Sequence, residues 1–160
     1  MLKKVLIAVI VVILVVIILG VYFLVANYNK VGVSDNNNGG SMAVSKFEIQ
    51  GMKVEILKEG SGVEARAGDL VTTHYAGMLQ DGKEFDSSIK RNAPFTFQLG
   101  QGRVIKGWDL GVLGMKVGEE RKLTIPPELA YGLDGFPPTI PQKAILTYVI
   151  SVLKIATPGN

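Results

Sequence analysis

The sequence predicts an α+β domain, an antiparallel sheet folded over one short helix, preceded by a single transmembrane helix. Three observations carry that prediction. Several segments of the 160-residue chain alternate apolar and polar side chains with the period of two that marks a half-buried strand. One segment alone, Ile105–Met115, spaces its apolar residues as a helix does. The N-terminus carries an unbroken aliphatic run that nothing later in the chain matches.

That run comes first in order. Val5–Ala26 is 22 uncharged, mostly aliphatic residues. As a helix it spans roughly 33 Å, enough for the hydrocarbon core of a bilayer. Its apolar side chains run all round the helix, which suits lipid. Tyr22, Phe23 and Tyr28 sit near its far end, where aromatic rings favour the membrane interface. Lys3 and Lys4 precede the run and Lys30 follows it, a bias that puts the N-terminus in the cytoplasm and the rest outside. A cleaved secretory signal is the alternative. It calls for an apolar stretch of about 7–15 residues and a small-x-small site, but Leu24 stands two places before Ala26. Residues 1–26 are therefore expected to be an uncleaved anchor, in lipid through residues 5–26.

Residues 27–45 are rich in Asn, Gly and Ser without apolar periodicity, and read as a flexible tether. The folded domain is expected over residues 46–156, with a short tail at 157–160. Lys3, Lys4 and Lys30 account for the whole net charge of +3, so the domain is neutral and nothing points to nucleic acid. The chain is expected to be a monomer.

Within the domain, Met52–Lys58 puts Met52, Val54 and Ile56 on one face and Lys53, Glu55 and Leu57 on the other. Leu70–Leu79 is β-rich and stops before Gln80-Asp81-Gly82, a turn signal. Phe95–Leu99 alternates again. In Ile105–Met115, Ile105, Trp108, Val112 and Met115 form a helical stripe. Gly107, Gly111 and Gly114 make that helix intrinsically weak, so packing must hold it. Arg121–Ile125 is a strand ended by Pro126-Pro127. Ile145–Lys154 is the plainest strand, with Leu146, Tyr148, Ile150 and Val152 on one face.

Much chemistry is excluded. The chain has no cysteine and one histidine, His74, so thiolate chemistry and zinc sites lack ligands. No G-x-S-x-G elbow accompanies His74, which reads as a hydrogen-bonded strand residue. No phosphate-cradling glycine motif occurs. Neither metal nor cofactor is expected. What remains is aromatic: Phe47, Tyr75, Phe85, Phe95, Phe97, Trp108, Tyr131, Phe136 and Tyr148 all lie in the domain. Three are tyrosines, whose hydroxyls need partners when buried. Tyr131, Phe136 and Ile140 sit on a Gly/Pro loop, which suits a pocket rim better than a core.

The ordered run "VTTHYAGMLQDGKEFDSS", "GQGRVIKGWDLGVLGMKVGEE", "IPPELAYG" and "AILTYVISVL" resembles the FKBP-type peptidyl-prolyl cis-trans isomerases. The resemblance covers Met52 to Leu153. It implies a twisted antiparallel sheet wrapped round one short helix, with a pocket between them. Trp108 would form the floor. Tyr75, Phe85, Phe95, Val104, Ile105 and Tyr148 would form the walls, with Phe97 close behind. Asp86 would sit at one side with Arg91 as its neighbour, and Tyr131, Phe136 and Ile140 would close the rim. Phe136 stands where the family often has histidine, Arg103 where it often has an acidic or amide residue, and Thr139 where it often has an aliphatic one.

The resemblance implies an isomerase of X-Pro bonds that needs no cofactor, acting on proline-containing segments at or outside the membrane and open to the macrolide inhibitors of the family. Asp86, Tyr75, Tyr131 and Trp108 would be its catalytic residues. The others, with Arg91, would bind substrate. Tyr131 would donate to a substrate carbonyl, while Asp86 would either face the carbonyl carbon or orient Tyr75. A proline-gripping module without turnover is the runner-up.

Overall fold

A computed structural model of the chain describes residues 45–158. The expected anchor over residues 1–26, all but the last residue of the tether and the last two residues of the tail lie outside them. Among the described residues no helix is long and apolar enough to cross a membrane.

Seven strands make one antiparallel sheet: β1 (Lys46–Ile49), β2 (Met52–Lys58), β3 (Leu70–Met78), β4 (Glu84–Ser87), β5 (Phe95–Gln98), β6 (Glu120–Ile125) and β7 (Leu146–Ala156). Their order is β1-β2-β6-β7-β3-β4, with β5 also on β3. The five expected strands are present, β2 with the expected ends and the others with an end shifted by one or two residues. β1 and β4 were not expected. β1 alternates only between exposed and half-buried positions. It exists because Gln50 and Gly51, both with positive φ (50° and 82°), make the tight turn that folds it back on β2. Lys46 and Glu48 are the charged residues typical of such an edge.

β3 pairs with β7 along its whole length, from Leu70 opposite Ala156 to Met78 opposite Thr147. The other edge of β3 is shared. β5 covers Leu70–Thr73 and β4 covers Ala76–Met78. Between them the chain bulges outward, and Ser88 replaces the missing ladder. Its backbone N–H donates to the Tyr75 carbonyl at 3.0 Å, and its hydroxyl accepts from the Tyr75 N–H at 2.8 Å. His74 bonds the same hydroxyl through Nδ1 at 3.0 Å, a structural role.

The helix, α1 (Lys106–Val112), is shorter than the expected Ile105–Met115. Ile105 is extended (φ −59°, ψ 149°), and Leu113 leaves the helix before Gly114 turns at φ 75°. Ile105 and Met115 thus flank α1. Two of its glycines are required by packing. A Cβ on Gly107 would lie 2.5 Å from an Ile125 methyl, and one on Gly111 would lie 2.5 Å from a Leu123 methyl. The helix lies so close on the Leu123 and Ile125 side chains of β6 that no side chain on the helix fits at these two positions. The core fills the rest of the space between sheet and helix, with Met52, Val54, Leu123, Ile125, Leu146 and Ile150 from the sheet against Val112 and Met115.

A buried ion pair pins the far end of α1. Arg121 Nε donates to Glu119 Oε1 at 2.5 Å. Arg121 Nη1 donates to the carbonyls of Gly111 (3.0 Å) and Leu113 (3.3 Å), satisfying the exposed end of the helix. Glu119 Oε2 accepts from the Lys116 N–H at 2.9 Å.

Candidate active site

An aromatic pocket of about 200 Å³ opens between β3, β5, β7 and the start of α1. It is lined by Tyr75, Asp86, Phe95, Arg103, Val104, Ile105, Trp108, Tyr131 and Tyr148. Each reaches it for a local reason. Gly77 lies in register with both Asp86 on β4 and Tyr148 on β7, so the two flank one small residue. Phe95 opens β5 and is over a third exposed, at 37 %. Val104 and Ile105 enter on the loop before α1. That loop is tied down by Asp109, whose carboxylate accepts from the N–H groups of Gly100 (2.9 Å) and Gly102 (3.0 Å). Tyr131 follows a short 3-10 turn, Pro127–Leu129, closed by the Ala130 and Gly132 N–H groups on the Pro127 carbonyl.

Trp108 is the floor. Its ring stands nearly perpendicular to Tyr75 (85°, centroids 5.0 Å apart) and to Tyr148 (89°, 5.2 Å). Phe97 and Phe95 also meet it edge-on, at 5.6 and 6.1 Å. Such edge-to-face contacts add stabilisation beyond burial. The Trp108 Nε1–H is buried and has no hydrogen-bond partner. The floor is therefore aromatic, with one buried donor that no described residue engages.

One wall carries a closed polar set. The Tyr75 hydroxyl donates to Asp86 Oδ2 at 2.5 Å. Arg91 Nη1 donates to Asp86 Oδ1, and Arg91 Nη2 donates to the Tyr75 oxygen at 2.8 Å. The guanidinium also lies over the Tyr75 ring, 5.7 Å from its centroid. Arg91 reaches back because the bulge after β4 turns there. The Ala93 N–H closes it on the Ser88 carbonyl, with Asn92 in the left-handed region at φ 50°.

Burial pushes the Asp86 carboxyl up, but the Tyr75 hydrogen bond and then the bond and charge of Arg91 outweigh it. The group lies below its ordinary value and stays ionised. Burial, then the bond to Asp86, raises Tyr75 against the pull of Arg91. Tyr131 is raised by burial and by the Asp86 charge. The neighbouring Tyr148 hydroxyl pulls the other way but does not outweigh them. Tyr148 is raised furthest, chiefly by burial and then by its anionic-capable neighbours Tyr131, Tyr75 and Asp86.

The four expected catalytic residues thus converge on one pocket, with Phe95, Val104, Ile105 and Tyr148 beside them. Arg91 stands behind Asp86. Four expected binding residues are set back from the lining. Phe97 is buried, stacked on Phe95 at 5.7 Å. Phe85 packs edge-on against Tyr148 at 5.7 Å, over Gly77, where a Cβ would come within 2.8 Å of the Tyr148 ring and 2.9 Å of Phe85. Ile140 is buried and anchors the Gly/Pro loop, exchanging 2.8 Å backbone bonds with Phe136. Phe136 itself projects outward, largely exposed, 5.9 Å from the Tyr131 ring. Arg103 was read from sequence only as a departure at the rim, yet it lines the pocket. No charge pattern in the sequence sets it apart from other surface arginines.

The profile of the family described as "FKBP-type peptidyl-prolyl cis-trans isomerase" matches residues 62–153 of this chain. Peptidyl-prolyl cis-trans isomerase FKBP2 of Homo sapiens is 56% identical over 93 residues, which cover 58% of this chain and 66% of that protein. FK506-binding protein 1 of Rhizopus delemar is 50% identical over 106 residues, 66% of this chain and 98% of that protein. Among solved structures, AtFKBP13 superposes with a TM-score of 0.63 at 41% identity, covering 66% of this chain and 94% of that one. FkpA from Escherichia coli gives 0.62 at 39% identity, covering 67% of this chain and 49% of that one.

Proposed function

Because the chain belongs to the FKBP-type peptidyl-prolyl cis-trans isomerases, a family of enzymes, we propose that its pocket takes an X-Pro segment of a polypeptide and speeds rotation about that bond. The observation that carries the reading is the pairing of an aromatic floor with a wall whose carboxylate and tyrosine hydroxyl are already engaged with each other and with Arg91. Asp86 is held as an anion by Tyr75 and Arg91, and the Tyr75 proton is spent on Asp86. That wall has no proton to pass and presents no nucleophile.

Peptide rotation asks for neither. The barrier, about 18–20 kcal/mol, is the loss of C–N resonance, and X-Pro bonds populate both isomers with exchange over tens of seconds or more. A catalyst need only bind the twisted amide better than either planar form. A twisted amide has a less polarised carbonyl and tolerates a dry site. Trp108 takes the pyrrolidine ring and excludes water. Tyr131, whose own proton is not engaged by a charged group, donates to a substrate carbonyl. Asp86 acts through Tyr75, fixing the wall, and transfers no proton.

The reading extends to the whole chain. Residues 5–26 anchor it in the bilayer with the N-terminus cytoplasmic, residues 27–45 tether it, and residues 46–156 work on proline segments of proteins at or outside the membrane as a monomer. The uncharged run and the lysine bias support this. A secreted, cleaved form is the competing topology, and protease added to intact cells would separate them. Relatives named for FK506 support macrolide binding in the same pocket. The test of activity is a protease-coupled assay with an X-Pro peptide. Acceleration well above the thermal rate, reduced in Asp86→Ala, is expected. The thermal rate alone would refute the enzyme reading and leave a proline-gripping module.

A further inference from the structure

Only two charged side chains line the pocket, Asp86 and Arg103. Asp86 is neutralised by Arg91 and by the Tyr75 hydroxyl. Arg103 is exposed, and none of the ion pairs among the described residues includes it. The wall of the site therefore carries one uncompensated positive charge. That charge is also well placed. Gly100 and Gly102, just before it, are bonded to Asp109 of α1, and Val104 and Ile105, just after it, are pocket wall. The Arg103 backbone is held on both sides, so its side chain works from a fixed base.

We infer that Arg103 sets substrate preference, selecting X-Pro segments that carry an acidic residue within one or two positions of the proline. The inference rests on the isomerase reading and names the substrate class for it. An extended peptide advances about 3.3 Å per residue, so a proline on Trp108 brings its immediate neighbours within reach of a long side chain on the same wall. An exposed arginine interacts by charge with modest strength, screened by salt. Asp86 cannot provide the opposite preference, because its charge is already matched.

Three short peptides test this, identical except for Glu, Ala or Lys next to the X-Pro pair, in versions with the variable residue before and after it. Isomerisation is followed by exchange NMR on the full-length protein, without a coupling protease that has its own charge preference. Binding is followed by the fluorescence of Trp108, the only tryptophan in the chain. In one of the two placements the Glu peptide is expected to exceed the Lys peptide about three- to tenfold at low salt, the span of one exposed ion pair set against one exposed repulsion. The ratio should shrink toward one at high salt, fall near one in Arg103→Gln and invert in Arg103→Glu. Equal Glu and Lys values in both placements overturn the inference, as does a preference that survives Arg103→Glu. If no peptide is isomerised, the enzyme reading fails. The binding ratio in the same samples then still decides for or against Arg103.

Discussion

The hydroxyl inventory of the pocket separates two tyrosines that look equivalent in sequence. Tyr75 donates to Asp86 at 2.5 Å and accepts from Arg91 at 2.8 Å, so its oxygen has nothing left for substrate. Tyr131 makes no such bonds and lines the same pocket. Replacing each by phenylalanine should give opposite signatures. Hydrogen bonds to charged groups contribute about 1.5–3 kcal/mol when shielded. Here the Asp86 and Arg91 side chains are 38% and 49% exposed, so Tyr75→Phe is expected to lower stability by only about 1 kcal/mol. Tyr131→Phe should leave stability within about 0.5 kcal/mol. It should also reduce kcat/KM about three- to tenfold, the worth of one neutral hydrogen bond made to the rotating amide.

The acid side adds a signed check. Asp86 lies below its ordinary value of 3.8, and after burial, which opposes it, the Tyr75 bond is the leading cause. A depressed carboxyl stabilises the fold above its unfolded value, and that contribution is lost as pH falls through the folded value. The gap between wild type and Tyr75→Phe should therefore be full near pH 6 and shrink below about pH 4. Urea unfolding followed by Trp108 fluorescence at pH 6 and pH 3, with peptide turnover at neutral pH, measures all of this. Full turnover in Tyr131→Phe, or a tenfold loss in Tyr75→Phe with unchanged stability, would show that the two hydroxyls have been assigned the wrong way round.

Other outcomes follow from the same geometry. Arg121→Ala leaves Glu119 buried without its partner and should destabilise by about 3–5 kcal/mol in urea unfolding; a loss under 1 kcal/mol would mean water reaches the pair. Gly111→Ala places a methyl 2.5 Å from Leu123 and should destabilise by about 1–3 kcal/mol despite alanine's better helix propensity; a more stable variant would contradict the tight helix–sheet contact. Trp108→Leu keeps an apolar floor of smaller area and should weaken peptide turnover more than it weakens folding, read by rate assays against far-UV circular dichroism. Tyr148 is raised well above its usual value of 10.0, mainly by burial. Its neutral form is thus part of the fold. Stability should hold below about pH 10 and fall as pH rises beyond it, and a tyrosinate absorbance signal appearing before unfolding would oppose this.

Reading the sequence alone went far with local patterns and less far with contacts. β2, β3, β5, β6 and β7 were legible because alternation is a property of neighbouring residues. β1 was not, since its edge position gives no fully buried face, and β4 was not, since Phe85 is the one apolar residue of its four and shows no alternation. The ends of α1 were set too wide because Met115 is buried for a reason unrelated to helix: it packs after the chain has left the helix at Leu113. The glycines of α1 looked like weakness, and the structure gives them a purpose as the contact surface for Leu123 and Ile125.

The sequence by itself determined the class of the fold, the family, and a set of aromatics without a conventional catalytic centre. The fold class and the aromatic set follow from composition and from spacing along one chain, and the family from the resemblance of its ordered motifs. Only the tertiary structure decided which aromatics face the pocket and which stand behind it. Phe95 and Phe97 lie two residues apart on one face, yet Phe95 lines the pocket and is over a third exposed while Phe97 is buried in the core. It also decided that the Tyr75 proton belongs to Asp86, that Arg91 reaches back across a bulge to close the set, and that Arg103 enters the lining unpaired. The Tyr75–Asp86 contact depends on the register of β3 against β4, and Arg103 on the loop that Asp109 of α1 ties down, both contacts between residues apart in sequence.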